Sequence, residues 1–420
     1  MELTQLLEIL LTEFYEKLDS LTEMMARDIS WPKAADKIKV AIGMRRTGKT
    51  YSLYKEIQRL LAAGVSLNRI LYINFEDDRL IPLTQAKLAA LIDAFYSLYP
   101  ENHDQECFLF LDEIQNVTDW PIVIRRIHDS KRVQLFLTGS SAKLLSTEIA
   151  TSLRGRSLST EVWPLSFREN LTVHGIDVNT KLFSKKTQDI LTQHFRHYLK
   201  RGGFPETIHY EQDVRLQTLQ EYVDVAIYRD IVERHDVKHA TLIKYMIIFM
   251  LNNISRLFSV NRFYNDVKSQ GYKIGKEILY EYLSYIEDAF LAFTVNLYDK
   301  SIRRVHTNPK KIFAVDPGLV QALTVFPEND VGKLFENIIY LDLRRQKCKV
   351  HYYLTTERYE VDFLAESPNG NKKLIQVCWD LSDPKTKERE QRALEAAQKE
   401  CHLDGEILTL EKYLKNGVVL

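Results

Sequence analysis

Gly43-Met-Arg45-Arg46-Thr47-Gly48-Lys49-Thr50 brackets four residues with two glycines and follows them directly with a lysine and a hydroxyl. Glycine allows successive backbone N–H groups to curve inward, and such an array binds a polyphosphate. The pattern G-x-x-x-x-G-K-[ST] therefore reads as an ATP site lined by Gly43, Arg45, Arg46, Thr47, Gly48, Lys49 and Thr50. Lys49 would reach the outer phosphates and Thr50 would ligate Mg²⁺. The acidic half of the site follows the apolar run Cys107-Phe-Leu-Phe-Leu111 as Asp112-Glu113. Asp112 suits the Mg²⁺ shell, and Glu113 suits activation of the attacking water. Thr138 and Ser140 end the next apolar run, where they could sense the γ-phosphate or simply cap a turn. Arg154 and Arg156 come soon after and are candidates for an arginine delivered to a neighbouring subunit's nucleotide, with plain surface arginines as the alternative.

The elements that must hold these groups can be read from periodicity. Apolar strands at 38–42, 70–75, 107–111 and 133–137 alternate with helical patterns, the first starting at Lys49 with Leu53, Ile57, Leu60 and Leu61 on one stripe. Continuous apolar strands between helices imply an α/β fold with a buried parallel sheet, whose ligands gather at the carboxyl ends of the strands. Glu76-Asp-Asp78 falls at one such end. Residues 1–30 read as an acidic amphipathic helix stopping before Trp31-Pro32, and 31–163 as the nucleotide-binding core. Residues 164–235 turn helical around Gly202-Gly-Phe-Pro-Glu206 and read as a lid over the nucleotide.

Residues 236–328 have the helix and strand order of a winged helix-turn-helix. Its basic stretch, with Lys300, Arg303, Arg304, Lys310 and Lys311, would form a positive wing that contacts DNA. Glu277, Glu281, Glu287 and Asp288 on the expected reading helix oppose phosphate, so a winged domain used only for packing is the competing view. In 329–420 a helix carrying Glu336 precedes three strands, with Asp362 on the second and Gln376-Val-Cys378 on the third. That is the layout of a metal-dependent nuclease core, but Gln376 and Cys378 stand where the chemistry needs a carboxylate and a lysine. Two carboxylates without a positioned lysine predict no cleavage, unless Lys385 or Lys387 of the following helix takes that place.

Composition sets outer bounds. The 420 residues are 45% hydrophobic and 27% charged, and 57 basic residues balance 57 acidic ones, so any nucleic-acid contact must come from a local patch. The apolar run Tyr245-Met-Ile-Ile-Phe-Met-Leu251 is far short of the ~20 residues that span a bilayer. The four cysteines have no paired spacing, and these features together predict a cytoplasmic protein without membrane contact.

Taken together, the motifs resemble those of prokaryotic AAA-type ATP-binding proteins with a C-terminal restriction-endonuclease-like domain of unknown function. Its marks are the loop at 43–50, Phe-Leu-Asp-Glu-Ile-Gln at 110–115, Leu-Thr-Gly-Ser-Ser at 137–141 and Leu-Arg-Gly-Arg at 153–156. Pro-Leu-Ser-Phe-Arg-Glu at 164–169, Gly-Gly-Phe-Pro-Glu at 202–206 and Tyr-Arg-Asp-Ile-Val-Glu at 228–233 continue the series. Asp-Pro-Gly-Leu at 316–319, Phe-Glu-Asn at 335–337 and Glu-Val-Asp-Phe at 360–363 complete it. The resemblance implies a P-loop AAA-type sheet with a helical lid, a winged helix and an endonuclease-like α/β tail. It also implies ATP and Mg²⁺ as cofactors, DNA as partner, and a homo-oligomer of ring form such as a hexamer. The leading expectation is an ATPase that binds or remodels DNA, branched or single-stranded forms included. An ATP-gated switch with slow hydrolysis and an ATP-dependent nuclease are its rivals.

Overall fold

The computed structural model describes residues 2–21, 24–139, 153, 155–176, 184–325 and 330–420. They form two compact units, Met1–Trp163 and Pro164–Leu420.

The first unit is built on five parallel strands in the order β2–β3–β4–β1–β5. These are β1 (Ile38–Ile42), β2 (Ile70–Asn74), β3 (Cys107–Asp112), β4 (Val133–Thr138) and β5 (Ser157–Glu161). All residues of β1 and β3 are buried, which is why, apart from Lys39 and Asp112, their sequences are apolar without alternation. The register pairs Ala41 with Thr138 and Leu111 with Leu137, so the carboxyl ends of β1, β3 and β4 lie side by side. The connecting helices are α2 (Lys49–Ala62), α3 (Gln85–Leu98) and α4 (Trp120–Ser130).

The amino-terminal helix α1 spans Leu3–Ser20, shorter than the expected 1–30. It buries Leu6, Leu7, Leu11, Phe14 and Leu18, with Phe14 stacked on Tyr72 at a centroid distance of 4.5 Å. Past Ser20 tertiary contacts override helix propensity. Leu21, Met24 and Trp31 pack against the core. Arg27 donates to the Thr47 carbonyl (2.9 Å) and the Trp163 carbonyl (2.6 Å), bonds that a continued helix would not place there.

The second unit begins with α5 (Phe167–Val173), α6 (Lys185–Arg201) and α7 (Gln212–Val225). The segment expected as a lid is tied into this unit: the Gly203 N–H donates to Asp316 Oδ2 at 2.7 Å, and Tyr198 OH donates to the Leu165 carbonyl. Gly202 has φ +81°, and a Cβ there would stand 2.1 Å from Asp316 Oδ1, so both backbone conformation and space demand glycine. Next come α8 (Ala240–Asn252), β6 (Leu257–Phe258), α9 (Val260–Ser269), α10 (Lys276–Asp288), β7 (Ala292–Val295), α11 (Ile302–Thr307) and β8 (Lys310–Ala314). The three strands form an antiparallel sheet in the order β6–β8–β7. The basic stretch between β7 and β8, expected to form a positive wing, contains the short helix α11.

Asp316 caps α12 (Pro317–Leu323), and α13 (Val331–Arg345) follows. The sheet β12–β11–β10–β9 comprises β9 (Lys349–Leu354), β10 (Glu360–Glu366), β11 (Lys372–Cys378) and β12 (Gly405–Thr409). Helix α14 (Pro384–Cys401) carries the chain from β11 to its parallel neighbour β12, and α15 (Leu410–Asn416) ends it. Asn337 holds this part to β8, its amide accepting from the Ala314 N–H (2.7 Å) and donating to the Ala314 carbonyl (3.1 Å). Phe313 stacks on Tyr340 at 4.3 Å.

Candidate nucleotide site

The loop from β1 to α2 turns within van der Waals reach of the chain leaving β5. A Cβ on Gly43, whose φ is +152°, would lie 2.2 Å from the Val162 carbonyl oxygen, so the first glycine is fixed by close backbone approach. Lys49, at the start of α2, is buried, and its Nζ donates to the Gly43 (3.1 Å) and Met44 (3.0 Å) carbonyls. Thr47 is buried with its hydroxyl on the Met44 carbonyl (2.9 Å), while the Arg46 side chain is exposed. Arg45 lies 4.0 Å from Glu76 at the end of β2.

Thr50 joins this loop to the acidic strand end, donating to Asp112 Oδ2 at 2.8 Å. Tyr72 OH donates to the same oxygen at 3.0 Å, and Thr138 Oγ1 donates to Oδ1. Asp112 is only 1% exposed, and burial raises its carboxyl above the usual range while the three hydroxyls pull it back. These are neutral donors around an acid at a carboxyl strand end. The donor set fits a divalent cation: Thr50 and Asp112 would hold Mg²⁺, which when bound supplies positive charge to a triphosphate.

Glu113 begins the turn after β3 with φ 53°, an uncommon value for a residue with a side chain. Its N–H donates to Thr138 Oγ1 at 3.0 Å, and its carboxylate accepts from Gln115 Nε2. Burial and the neighbouring Glu113 raise the Glu76 carboxyl. In the sequence Thr138 reads as a γ-phosphate sensor or a turn cap. It is fully buried, and its hydroxyl bridges Asp112 and the Glu113 backbone, so it positions the acids from beneath. Ser140 and Arg154 lie outside the described residues. Arg156 sits just before β5, at the amino edge of the sheet opposite the loop. There it forms a two-pronged pair with Asp129 of α4 (2.9 and 3.1 Å), a commitment within its own subunit.

Sequence reading gave no role to three contributors here. Gln115 stands two positions from Glu113, within reach across one turn. Tyr72 lies on β2 and links Asp112 to Tyr54 OH (3.1 Å). Arg27 braces the loop from the chain after α1.

In the second unit Lys300, Arg303 and Arg304 are exposed, Arg304 pairing with Asp299 at 2.8 Å, and Lys310 is half-buried. Lys311 departs from the expected positive wing. It is 2% exposed, and its Nζ lies among Glu336, Glu360 and Asp362. Gln376 and Cys378 are also buried. The Gln376 amide donates to Glu390 (2.6 Å), and the Cys378 thiol contacts the Asp380 carbonyl. Lys311, and neither Lys385 nor Lys387, is the lysine that meets the acids.

Among the described residues no helix is long and apolar enough to cross a membrane, and no three His, Cys, Asp or Glu side chains are arranged to hold a metal by themselves.

Residues 35–171 match the model of an AAA domain, and residues 192–330 match a domain of unknown function (DUF8612). The uncharacterized protein MJ1544 of Methanocaldococcus jannaschii is 37% identical over 399 residues, covering 94% of this chain and 86% of that protein. An uncharacterized protein of Haemophilus influenzae is 29% identical, covering 84% of each chain. Among solved structures, the Walker-type ATPase PABY2304 of Pyrococcus abyssi is similar with a TM-score of 0.42 at 16% identity, covering 68% of this chain and 90% of that one. The chain belongs to the family of MJ1544, and its residues 35–171 form an AAA-type ATPase domain.

Proposed function

We propose that the protein hydrolyses ATP with Mg²⁺ at this site and couples turnover to binding or remodelling DNA as a homo-oligomer, a hexameric ring being the form to test. The observation that carries the reading is the Thr50–Asp112 bond. It joins the phosphate loop to a buried acid one residue before Glu113. Lys49 would leave the loop carbonyls for the phosphates, and Glu113 would take the proton of the attacking water. The strained backbone of Glu113 and its tie to Thr138 support that role, because strain of this kind collects at functional positions.

DNA contact is supported by the exposed Lys300, Arg303 and Arg304 beside the β6–β8–β7 sheet, which suits a winged helix. Glu287, counted against DNA in the sequence, accepts from the Thr294 N–H and hydroxyl (2.8 and 2.6 Å), so it is bound to β7. The four-stranded sheet with α13 and α14 suits an endonuclease-like tail.

The test is ATP turnover with and without single-stranded, duplex and branched DNA, combined with light scattering of the ATP-bound protein. Lys49→Ala should lose binding and turnover. Glu113→Gln should keep ATP and lose ~10²–10⁴-fold in rate. Wild-type turnover by Glu113→Gln would remove Glu113 as the base.

A second reading, a slow ATP-gated switch, is favoured by the Gln115 amide, which donates to the Glu113 carboxylate that would otherwise take the proton of the attacking water. Gln115→Ala separates the two: it should speed DNA-independent turnover in a switch and leave a DNA-stimulated ATPase unimproved.

A further inference from the structure

The Lys311 ammonium sits in the second unit where three acids from two elements converge. Glu336 comes from α13, and Glu360 and Asp362 lie two apart on β10. Their oxygens stand 2.9, 2.7 and 2.7 Å from Lys311 Nζ. The ammonium donates a hydrogen bond to Asp362 and forms ion pairs with Glu336 and Glu360, so all three carboxylates share its charge. The distances suit N–H···O contacts, whereas Mg²⁺ or Mn²⁺ would draw oxygens to about 2.0–2.2 Å.

Lys311 is held in place. Its backbone is fixed in β8 between Leu257 of β6 and Val295 of β7. The other oxygen of Asp362 accepts from the Val377 N–H at 2.9 Å. Gln376, which stands where a further acidic ligand would, is held by Glu390 and accepts from the Asp362 N–H (3.3 Å). A cleft of about 500 Å³ opens over these groups, so an ion could enter from solvent.

We propose that the Lys311 ammonium is a built-in cation in the place a divalent metal ion would take among Glu336, Glu360 and Asp362. The centre is therefore independent of metal, and removing the lysine charge converts it into a site for a hard divalent cation. The acids keep Lys311 charged well above its ordinary range, and burial beside Asp362 raises Glu336. With Lys311 gone, nothing within the cluster balances the anions, and a cation reaching it through the cleft meets oxygen ligands only.

The experiment counts Mn²⁺ bound to the nucleotide-free full-length chain by electron paramagnetic resonance. It compares the wild type, Asp362→Asn, Lys311→Met and the double variant Lys311→Met/Asp362→Asn. Lys311→Met should bind one Mn²⁺ more than wild type, and the double variant should lose it. The wild type and Asp362→Asn should bind equally. Refolding from urea is a second readout: Lys311→Met should recover more fully with Mn²⁺ than without, while wild type is indifferent. A wild-type Mn²⁺ that disappears in Asp362→Asn would overturn the proposal. So would a Lys311→Met chain that gains no ion, or that fails to refold with Mn²⁺ and without it alike.

Discussion

Asp112 of the first unit and Asp362 of the second are both buried acids on strands, 1% and 8% exposed. Around Asp112 stand three hydroxyls, from Thr50, Tyr72 and Thr138. Beside Asp362 stands an ammonium at 2.7 Å. Hydroxyls satisfy lone pairs but leave a buried charge without its opposite, which is costly. The first site therefore stays short of positive charge until a ligand brings it, and the second is complete as folded. The same residue type thus supports exchange of a ligand in one unit and permanence in the other.

The sharpest way to break that contrast is Asp112→Asn. Turnover should fall by about 10³-fold or more, because holding a metal beside a phosphoryl group contributes several kcal/mol. The stability of the first unit should hold or rise by about 1 kcal/mol, since an uncompensated buried charge is gone. Urea unfolding followed through Trp31, Trp120 and Trp163 in a Trp379→Phe background reports that unit alone. A loss of stability there would mean that Asp112 already has its counter-charge.

A third buried acid extends the comparison to pH. Burial carries Asp316 from its ordinary value near 3.8 up to about 6, although the N–H groups of Gly203, Gly318 and Leu319 pull the other way. At ~1.4 kcal/mol per pKa unit this is worth about 3 kcal/mol. A raised carboxyl favours folding when protonated. Its contribution is therefore full below about pH 4 and is lost as pH rises through about 6. The stability of wild type relative to Asp316→Asn should improve by up to that amount between pH 7 and pH 4.5. A flat difference would show that the three N–H groups cancel burial.

Chelation gives the next smaller effect. With Mg²⁺·ATP at ~100 times its dissociation constant, the first unit should gain about 2.7 kcal/mol, and EDTA should abolish most of the gain. The second unit, followed through Trp379 with the other three tryptophans replaced, should not respond to EDTA. A shift there would count directly against an internal cation.

The sequence made one of these sites legible and hid the other. Gly43, Lys49, Thr50, Asp112 and Glu113 lie within strand–turn signals, and local backbone rules suffice to place them. Lys311 and Asp362 are 51 positions apart, and nothing local connects them. Lys311 looked like part of a basic surface run because Lys300, Arg303, Arg304 and Lys310 precede it. The available signal was its place in a strand: Ile312, Phe313 and Ala314 are all buried, and a lysine in such company needs acids. Gly202-Gly203 and Asp316-Pro-Gly318 were likewise two separate motifs, and the contact between them spans 113 positions. The end of α1 was misplaced for a similar reason, since Arg27 and Trp31 answer to the core.

The surface of the second unit should show effects that depend on salt. Arg303→Glu with Arg304→Glu should weaken binding to every duplex sequence about equally, as phosphate contacts carry no base information. For each phosphate no longer neutralised, the slope of log affinity against log salt should flatten by ~0.9. Lys311→Met should leave that slope unchanged, since a buried ammonium meets no phosphate. Unchanged affinity in the double reversal would return this sheet to a packing role.

The smallest effect belongs to Arg156, where two roles compete. Its guanidinium grips Asp129 with two bonds, but the arginine side chain is about a third exposed and the aspartate about half. A pair so open to water contributes little to stability. Arg156→Ala should accordingly cost the first unit little, and the loss should shrink at high salt, where exposed charges are screened. Turnover per subunit should stay within about twofold of wild type, because β5 starts at the edge of the sheet opposite the phosphate loop. An arginine acting on a neighbour's nucleotide would instead cost about 10³-fold or more in rate. A loss of that size, restored when Arg156→Ala subunits are mixed with Lys49→Ala subunits, would show that Arg156 leaves Asp129 to reach across an interface.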